Sequence, residues 1–134
     1  MDLTNRTIIK DLFRKYGVRP EKYLGQHFIL SKKALAQMIT AAEIKKNDTI
    51  IEIGPGLGTL TQELAKTLPA RAGGAKIVAI EKDPKMISIL KETLVDYKNI
   101  KIIQADARKF PKLISEIKNF SDFGNLKSQY KIVA

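Results

Sequence analysis

The chain has 134 residues, 44% of them hydrophobic, and its 24 Lys and Arg against 14 Asp and Glu give a formal net charge of +10 at pH 7. A chain of this length and apolar content can bury a core as one domain, which excludes a disordered protein or a disulfide-stapled miniprotein. With no Cys and one His, it has no disulfide, no thiolate metal site and no cysteine nucleophile, and we expect no metal.

The N-terminal segment is basic and amphipathic. Residues 1–33 hold eight basic and three acidic side chains, a pattern that indicates a polyanionic partner, although a solvated helix face gives the same pattern. No apolar run approaches the roughly 20 residues of a membrane span. We therefore expect a cytoplasmic protein without a membrane partner.

Two helices are predicted before the first strand. The first spans residues 4–16, from a Thr4 N-cap to a stop at Gly17. Its inward stripe is Ile8, Ile9, Leu12 and Phe13. Residues 18–30 lack periodicity and form an extended connector. Ser31 caps a second helix. Its inward positions are Leu35, Met38, Ile39 and Ala42.

From residue 48 the pattern changes to short β-branched runs that alternate with helical stretches. The predicted strands are 49–53, 76–80, 100–104 and 130–134, and the predicted helices are 59–68, one opened by Asp83 and Pro84, and 112–118. Residues 69–74 and 119–129 are predicted as loops. Because parallel neighbours need a long crossover, this alternation predicts an α/β fold with a parallel sheet.

A glycine-rich turn, Gly54-Pro55-Gly56-Leu57-Gly58, follows the first predicted strand. Such a turn lets a ligand approach the backbone at the carboxyl edge of a parallel sheet. A dinucleotide fingerprint needs the third glycine one residue later, and a P-loop needs a Lys after it, so both phosphate motifs are disfavoured. Glu52 would also add negative charge near a phosphate.

Acidic residues follow the next two predicted strands as well. Glu81 is placed to accept hydrogen bonds from ribose hydroxyls, and Asp106 from an adenine amino group. A ligand with a cationic centre and a ribose fits this set better than a phosphorylated one, and S-adenosylmethionine (SAM) is the candidate. Each acid taken alone also fits a helix cap or a solvated loop.

Four segments together resemble the KsgA family of small-subunit ribosomal RNA adenine dimethyltransferases. The segments are residues 24–30 (LGQHFIL), 51–61 (IEIGPGLGTLT), 78–83 (VAIEKD) and 104–107 (QADA). The resemblance implies a Rossmann-like class I SAM-dependent methyltransferase fold, here truncated after the fourth parallel strand and preceded by N-terminal helices. It divides the chain into a basic helix with its connector, residues 1–30, and a partial SAM-binding domain, residues 31–134.

The resemblance also implies roles for site residues. Gln26, His27 and Ile29 would cover the methionine end of SAM, with His27 standing where the family usually has Asn. The floor would consist of Glu52, Gly54, Gly56 and Gly58. Glu81, with the adjoining Lys82, would hold the ribose, and Asp106 with Ala107 the adenine.

The reaction that the resemblance implies is methylation of adenine N6 in small-subunit ribosomal RNA or an assembly intermediate, by a monomer. The family's Asn-Leu/Ile-Pro-Tyr motif would follow Ala134 and is absent, so we expect no catalytic residue and no activity in this chain alone. Two alternatives remain: a non-catalytic RNA-binding module of the same fold, and a SAM-dependent methyltransferase for a small molecule or protein. A nucleotide-dependent oxidoreductase is disfavoured by the glycine spacing.

Overall fold

The computed structural model describes residues 1–19, 31–45, 48–68, 76–118 and 130–134. The helices in these ranges are α1 (Arg6–Lys15), α2 (Lys32–Ala41), α3 (Thr59–Thr67), α4 (Pro84–Thr93) and α5 (Phe110–Lys118), and a 3-10 turn spans Ala107–Lys109. The strands are β1 (Thr49–Ile53), β2 (Lys76–Glu81), β3 (Ile100–Gln104) and β4 (Tyr130–Val133). These elements confirm the predicted strands and helices to within a residue or two, except that the 3-10 turn was not predicted. The predicted loops at 69–74 and 119–129 lie outside the described residues.

The four strands form one parallel sheet in the order β3-β2-β1-β4. In the central register, Ile51 of β1 lies between Val78 of β2 and Ile132 of β4. β1 and β2 are buried along most of their length, whereas β3 and β4 are half-exposed because each has a single neighbour among the described strands. The sheet confirms the predicted α/β fold, and the reversal of strand order beside β1 places a crevice there.

Helices cover both faces of the sheet. α2 and α3 pack on the face that carries Ile50 and Ile77, while Leu113 of α5 packs on the opposite face against Ile51 and Val78. Alternate residues of a strand point to opposite faces, which explains why Ile50 and Ile51 belong to different clusters. The sheet is therefore buried between two layers, as parallel sheets require.

α1 belongs to the hydrophobic core of this domain. The cluster that it joins contains Leu3, Ile9, Leu12, Phe13, Val18, Leu57, Met86 and Ile89. The predicted inward stripe of α1 is thus confirmed, with Ile8 half-buried at its edge. Leu57 of this cluster belongs to the glycine turn, so α1 packs against that turn. The division at residue 30 stays a prediction.

Local side chains set where the helices begin. The Ser31 hydroxyl accepts from the Ala34 N–H (3.2 Å), and the Asp83 carboxylate accepts from the Lys85 N–H (2.7 Å), as the two predicted caps require. No helix in the described ranges is long and apolar enough to cross a membrane.

The predicted N-cap of α1 at Thr4 is wrong. Asn5 caps this helix, its side chain accepting from the Thr7 N–H at 2.9 Å. The Thr4 hydroxyl and N–H both donate to Asp2 Oδ1, at 2.5 and 2.9 Å, so the hydroxyl is engaged away from the helix. The predicted stop is confirmed, since Gly17 follows the helix with a φ of +60°.

Candidate binding site at the carboxyl edge of the sheet

Backbone hydrogen bonds tie three strand ends together at the carboxyl edge of the sheet. The Gly54 N–H donates to the Ile80 carbonyl (3.0 Å), which joins the glycine turn to the end of β2. The Ala105 N–H donates to the Glu81 carbonyl (2.9 Å), which joins the end of β2 to the loop after β3. The glycine turn, Glu81 and the loop of Asp106 are therefore neighbours, in the order that the sequence predicts.

The glycines of the turn have two different surroundings. Gly54 has a φ of +68°, and a Cβ built there would have no heavy atom within 4 Å, so the backbone faces open space. Gly58 has a φ of +86°, and its Cβ would lie 3.1 Å from the Cδ2 atoms of Leu90 and Leu94. Both positions favour glycine. Gly54 leaves room for a ligand, whereas Gly58 lets α3 pack closely on α4.

Glu52 lies beneath the turn, where it is 3% exposed. Its Oε2 accepts a hydrogen bond from the Thr61 hydroxyl at 2.6 Å, which joins β1 to α3. Burial raises the pKa of Glu52 to about 7, and the hydrogen bond from Thr61 opposes that rise. Near neutral pH this carboxyl is therefore a mixture of its protonated and ionised forms.

Two further polar side chains fasten the turn from α3 and α4. The Thr93 hydroxyl donates to the Leu57 carbonyl at 2.9 Å, and Gln62 Nε2 donates to the Thr93 carbonyl at 2.8 Å. Both side chains are buried. Because buried polar groups are costly without partners, these bonds hold the turn in one conformation.

The Glu81 carboxylate is fixed by the backbone that follows it. Glu81 is 8% exposed, and its Oε1 accepts from the N–H groups of Lys82 (2.8 Å) and Asp83 (3.0 Å). Among the described residues, none donates to its second oxygen, Oε2. The Lys82 side chain is exposed beside it. The arrangement offers a pre-oriented acceptor at the end of β2.

Asp106 lies in the loop after β3 with its carboxylate bound to Arg108. Arg108 donates from its backbone N–H to Oδ1 (3.0 Å), from Nε to both oxygens (3.0 Å each) and from Nη2 to Oδ2 (2.5 Å). The side-chain bonds from Arg108 hold the pKa of Asp106 well below its usual range. In the described part of the chain, no acceptor binds the neighbouring Ala107 N–H.

The remaining predicted site residues, Gln26, His27 and Ile29, lie outside the described residues, and their roles stay predictions. Sequence reasoning did not predict the contributions of Thr61, Thr93 and Arg108. Thr59, Thr61 and Gln62 in the first turns of α3 were a usable signal, because all three are polar residues at buried positions among Leu60, Leu64 and Ala65. Across the described ranges, no group of three or more His, Asp or Glu side chains is placed to hold a metal ion.

Comparison with known proteins identifies the family. The family model described as ribosomal RNA adenine dimethylase matches residues 17–134. The chain belongs to this family. A ribosomal RNA small subunit methyltransferase A from Leuconostoc mesenteroides is 38% identical over 136 residues, covering 100% of this chain and 42% of the relative. A probable ribosomal RNA small subunit methyltransferase A from Thermococcus sibiricus is 44% identical over 110 residues, covering 81% of this chain and 38% of the relative.

A solved structure shares the fold of this dimethylase-family chain. Precorrin-6y C5,15-methyltransferase from Geobacter metallireducens superposes with a TM-score of 0.55 at 18% identity, covering 65% of this chain and 45% of that one. The predicted Rossmann-like methyltransferase fold is thereby confirmed. The chain spans about two fifths of the length of the two curated relatives.

Proposed function

We propose that this chain is the cofactor-binding part of an adenine N6,N6-dimethyltransferase that acts on small-subunit ribosomal RNA with SAM as methyl donor. The observation that carries the proposal is the convergence of the glycine turn, Glu81 and Asp106 on adjoining strand ends in a member of the dimethylase family. The name that the two curated relatives share, ribosomal RNA small subunit methyltransferase A, supports the RNA substrate.

The residues present fit SAM in three respects. Gly54 provides a floor without a side chain, and no described residue donates to Glu81 Oε2, which could accept from ribose hydroxyls. The Asp106 carboxylate, although paired with Arg108, lies beside the Ala107 N–H, an acceptor next to a donor. An adenine edge carries the matching amino donor and ring nitrogen acceptor. Gln26, His27 and Ile29 are assigned to the methionine end by the resemblance alone.

When bound, SAM supplies an electrophilic methyl group on a sulfonium. The exocyclic amine of the target adenine is a weak nucleophile, so its alignment with that methyl group is the main requirement. The residues assigned above would hold the donor, whereas the family motif that would hold the target amine is not among the 134 residues. We therefore expect the chain to bind SAM and not to methylate RNA by itself.

The substrate contact is assigned to the basic face of α1, defined by Arg6, Lys10 and Arg14. All three side chains are exposed and lie at a spacing of four residues, in a row that runs beside the buried stripe of the helix. The ion pair of Arg14 with Asp11 (3.1 Å) joins two side chains that are mostly exposed, so phosphate can displace it easily. The phosphates of an RNA backbone attract such a row of positive side chains.

Calorimetry on the 134-residue chain tests the cofactor assignment. SAM should bind and NAD should not. Glu81→Gln should weaken SAM binding by about 10- to 100-fold, because it removes a charged acceptor of hydrogen bonds. The control is Asp96→Asn, which removes one negative charge from an exposed position after α4. Binding of NAD in preference to SAM, or equal effects of the two substitutions, would contradict the assignment.

A second candidate is a non-catalytic RNA-binding module, which the net charge of +10 favours. The two candidates differ in their response to SAM. A module of this kind would bind small-subunit RNA with the usual salt dependence yet give no heat with SAM. The same calorimetric titration therefore separates them.

A further inference from the structure

The carboxylate assigned to adenine recognition already has a strong partner within the chain. Both Asp106 oxygens accept from the Arg108 guanidinium, and Oδ1 accepts in addition from the Arg108 backbone N–H. These contacts use three N–H hydrogens, since the single Nε–H is shared between the two oxygens, and each oxygen accepts from the guanidinium. An incoming amino group would therefore compete with the guanidinium for the same two oxygens.

We propose that Arg108 sets the affinity for SAM by competing with the adenine amino group for Asp106. The inference rests on the proposed function, in which Asp106 receives the adenine. Displacement is feasible because the Arg108 side chain is 86% exposed, so its guanidinium can turn into water without moving other groups. The Asp106 side chain is 27% exposed, so it is accessible from the open side of the loop.

The backbone contact distinguishes a competitor from a group that merely orients Asp106. The Arg108 N–H bond to Oδ1 belongs to the main chain, and the Lys109 N–H donates to the Asp106 carbonyl at 3.0 Å in the same turn. These two bonds fix the loop and one carboxylate oxygen whatever side chain stands at position 108. Removing the guanidinium therefore frees acceptor sites and leaves the carboxylate in place.

The positive side chains around Asp106 keep its carboxyl group ionised. Lys82 and Arg108 both lower the pKa of the Asp106 carboxyl, with the hydrogen bonds from Arg108 as the largest cause. The carboxyl remains ionised without the guanidinium at neutral pH, because an ordinary Asp pKa already lies near 4. An Arg108 variant thus keeps the acceptor that the adenine needs.

Calorimetry of the 134-residue chain with SAM tests the inference. Arg108→Ala should bind SAM about two- to fivefold more tightly than the unmodified chain, the range expected for release of an exposed ion pair. Arg108→Lys keeps the positive charge but loses the planar guanidinium, and its affinity for SAM should lie between those of Arg108→Ala and the unmodified chain. The matched control is Lys109→Ala, which removes the same charge from the adjacent exposed residue and should leave the affinity within the measurement error of the unmodified chain.

Two further readouts separate competition from a general effect of charge. Raising the salt concentration should shrink the difference between Arg108→Ala and the unmodified chain, because the ion pair is screened. S-inosylhomocysteine, which lacks the amino group, should show no gain from Arg108→Ala, whereas S-adenosylhomocysteine should show it. NMR titration of the Asp106 carboxyl should show its pKa rising toward the ordinary value in Arg108→Ala.

Each outcome has a definite meaning. Weaker or unchanged SAM binding by Arg108→Ala overturns the inference while leaving the proposed function standing. An equal gain from Lys109→Ala, or an equal gain with the inosyl compound, also overturns it. Absence of SAM binding by the unmodified chain and all variants overturns the proposed cofactor role, and this inference with it.

Discussion

The buried Glu52 makes the stability of this chain depend on pH in a direction opposite to that of most carboxyl groups. Its pKa is raised from the ordinary 4.5 to about 7 because it is buried under the glycine turn. Between these two values the folded chain holds a proton that the unfolded chain has lost. The free energy of unfolding contributed by this group therefore falls as pH rises through the window from 4.5 to 7.

The size of the effect follows from the same two pKa values. At about 1.4 kcal/mol per pH unit, the ionised carboxyl costs about 3 kcal/mol of stability above pH 7 relative to its protonated form. The Glu52→Gln substitution keeps the shape and an acceptor for the Thr61 hydroxyl but does not titrate. We therefore compare the free energies of unfolding of Glu52→Gln and of the unmodified chain. The variant's advantage over the unmodified chain should increase by about 3 kcal/mol from pH 4.5 to pH 8.

Urea unfolding followed by circular dichroism at pH 4.5, 5.5, 6.5 and 8 measures this difference. Thr61→Val serves as the second variant: because the Thr61 hydroxyl favours the ionised form, its loss should cost more at pH 8 than at pH 4.5. Glu116→Gln, at an exposed position on α5, is the control and should give a difference that does not change with pH. A flat difference for Glu52→Gln would refute the account of Glu52 given above.

Three further predictions concern packing and RNA binding. Gly58→Ala should destabilise the chain by about 1–3 kcal/mol in urea unfolding, because a Cβ there meets Leu90 of α4 and Leu94 just after it, whereas Gly54→Ala, with open space around it, should cost less. Leu12→Ala should cost about 2–5 kcal/mol if α1 shares the core, and a cost near zero would show that it does not. Replacing the basic face of α1 with alanines should weaken binding to small-subunit RNA and lower the salt slope by about 1 per residue, with an unchanged slope as the contrary result. The residues replaced are Arg6, Lys10 and Arg14.

The sequence was sufficient for the sheet because each strand carries its own signal. Ile50, Ile51, Ile77 and Val78 are β-branched residues in short runs, and the helical stretches between them leave a parallel crossover as the simplest connection. The position of the glycine turn then follows, because it comes after the first strand and before a helix. Neighbouring strand ends bring Glu81 and Asp106 beside it without further assumptions.

Contacts between side chains were harder to predict, because they depend on competing local hydrogen bonds, on side-chain rotamers and on how the elements pack. Thr4 and Asn5 are both good caps, and Asp2 decides between them by engaging the Thr4 hydroxyl. Arg108 is a long, exposed side chain with many rotamers, so its bond to Asp106 has no periodic signature. The Glu52 to Thr61 bond depends on the rotation of α3 relative to β1, which tertiary packing sets.

The position of Glu52 changes the argument about ligand charge. From sequence alone, Glu52 was expected to add negative charge near a phosphorylated ligand. Since it is buried and its pKa is about 7, its charge at neutral pH is only partial. Under the proposed function, the preference for a cationic ligand therefore rests on Glu81 and Asp106, at the ends of two neighbouring strands. Arg108 is paired with Asp106 in the structure, so under the proposed function the local charge that SAM would meet depends on the same contact that we propose limits its affinity.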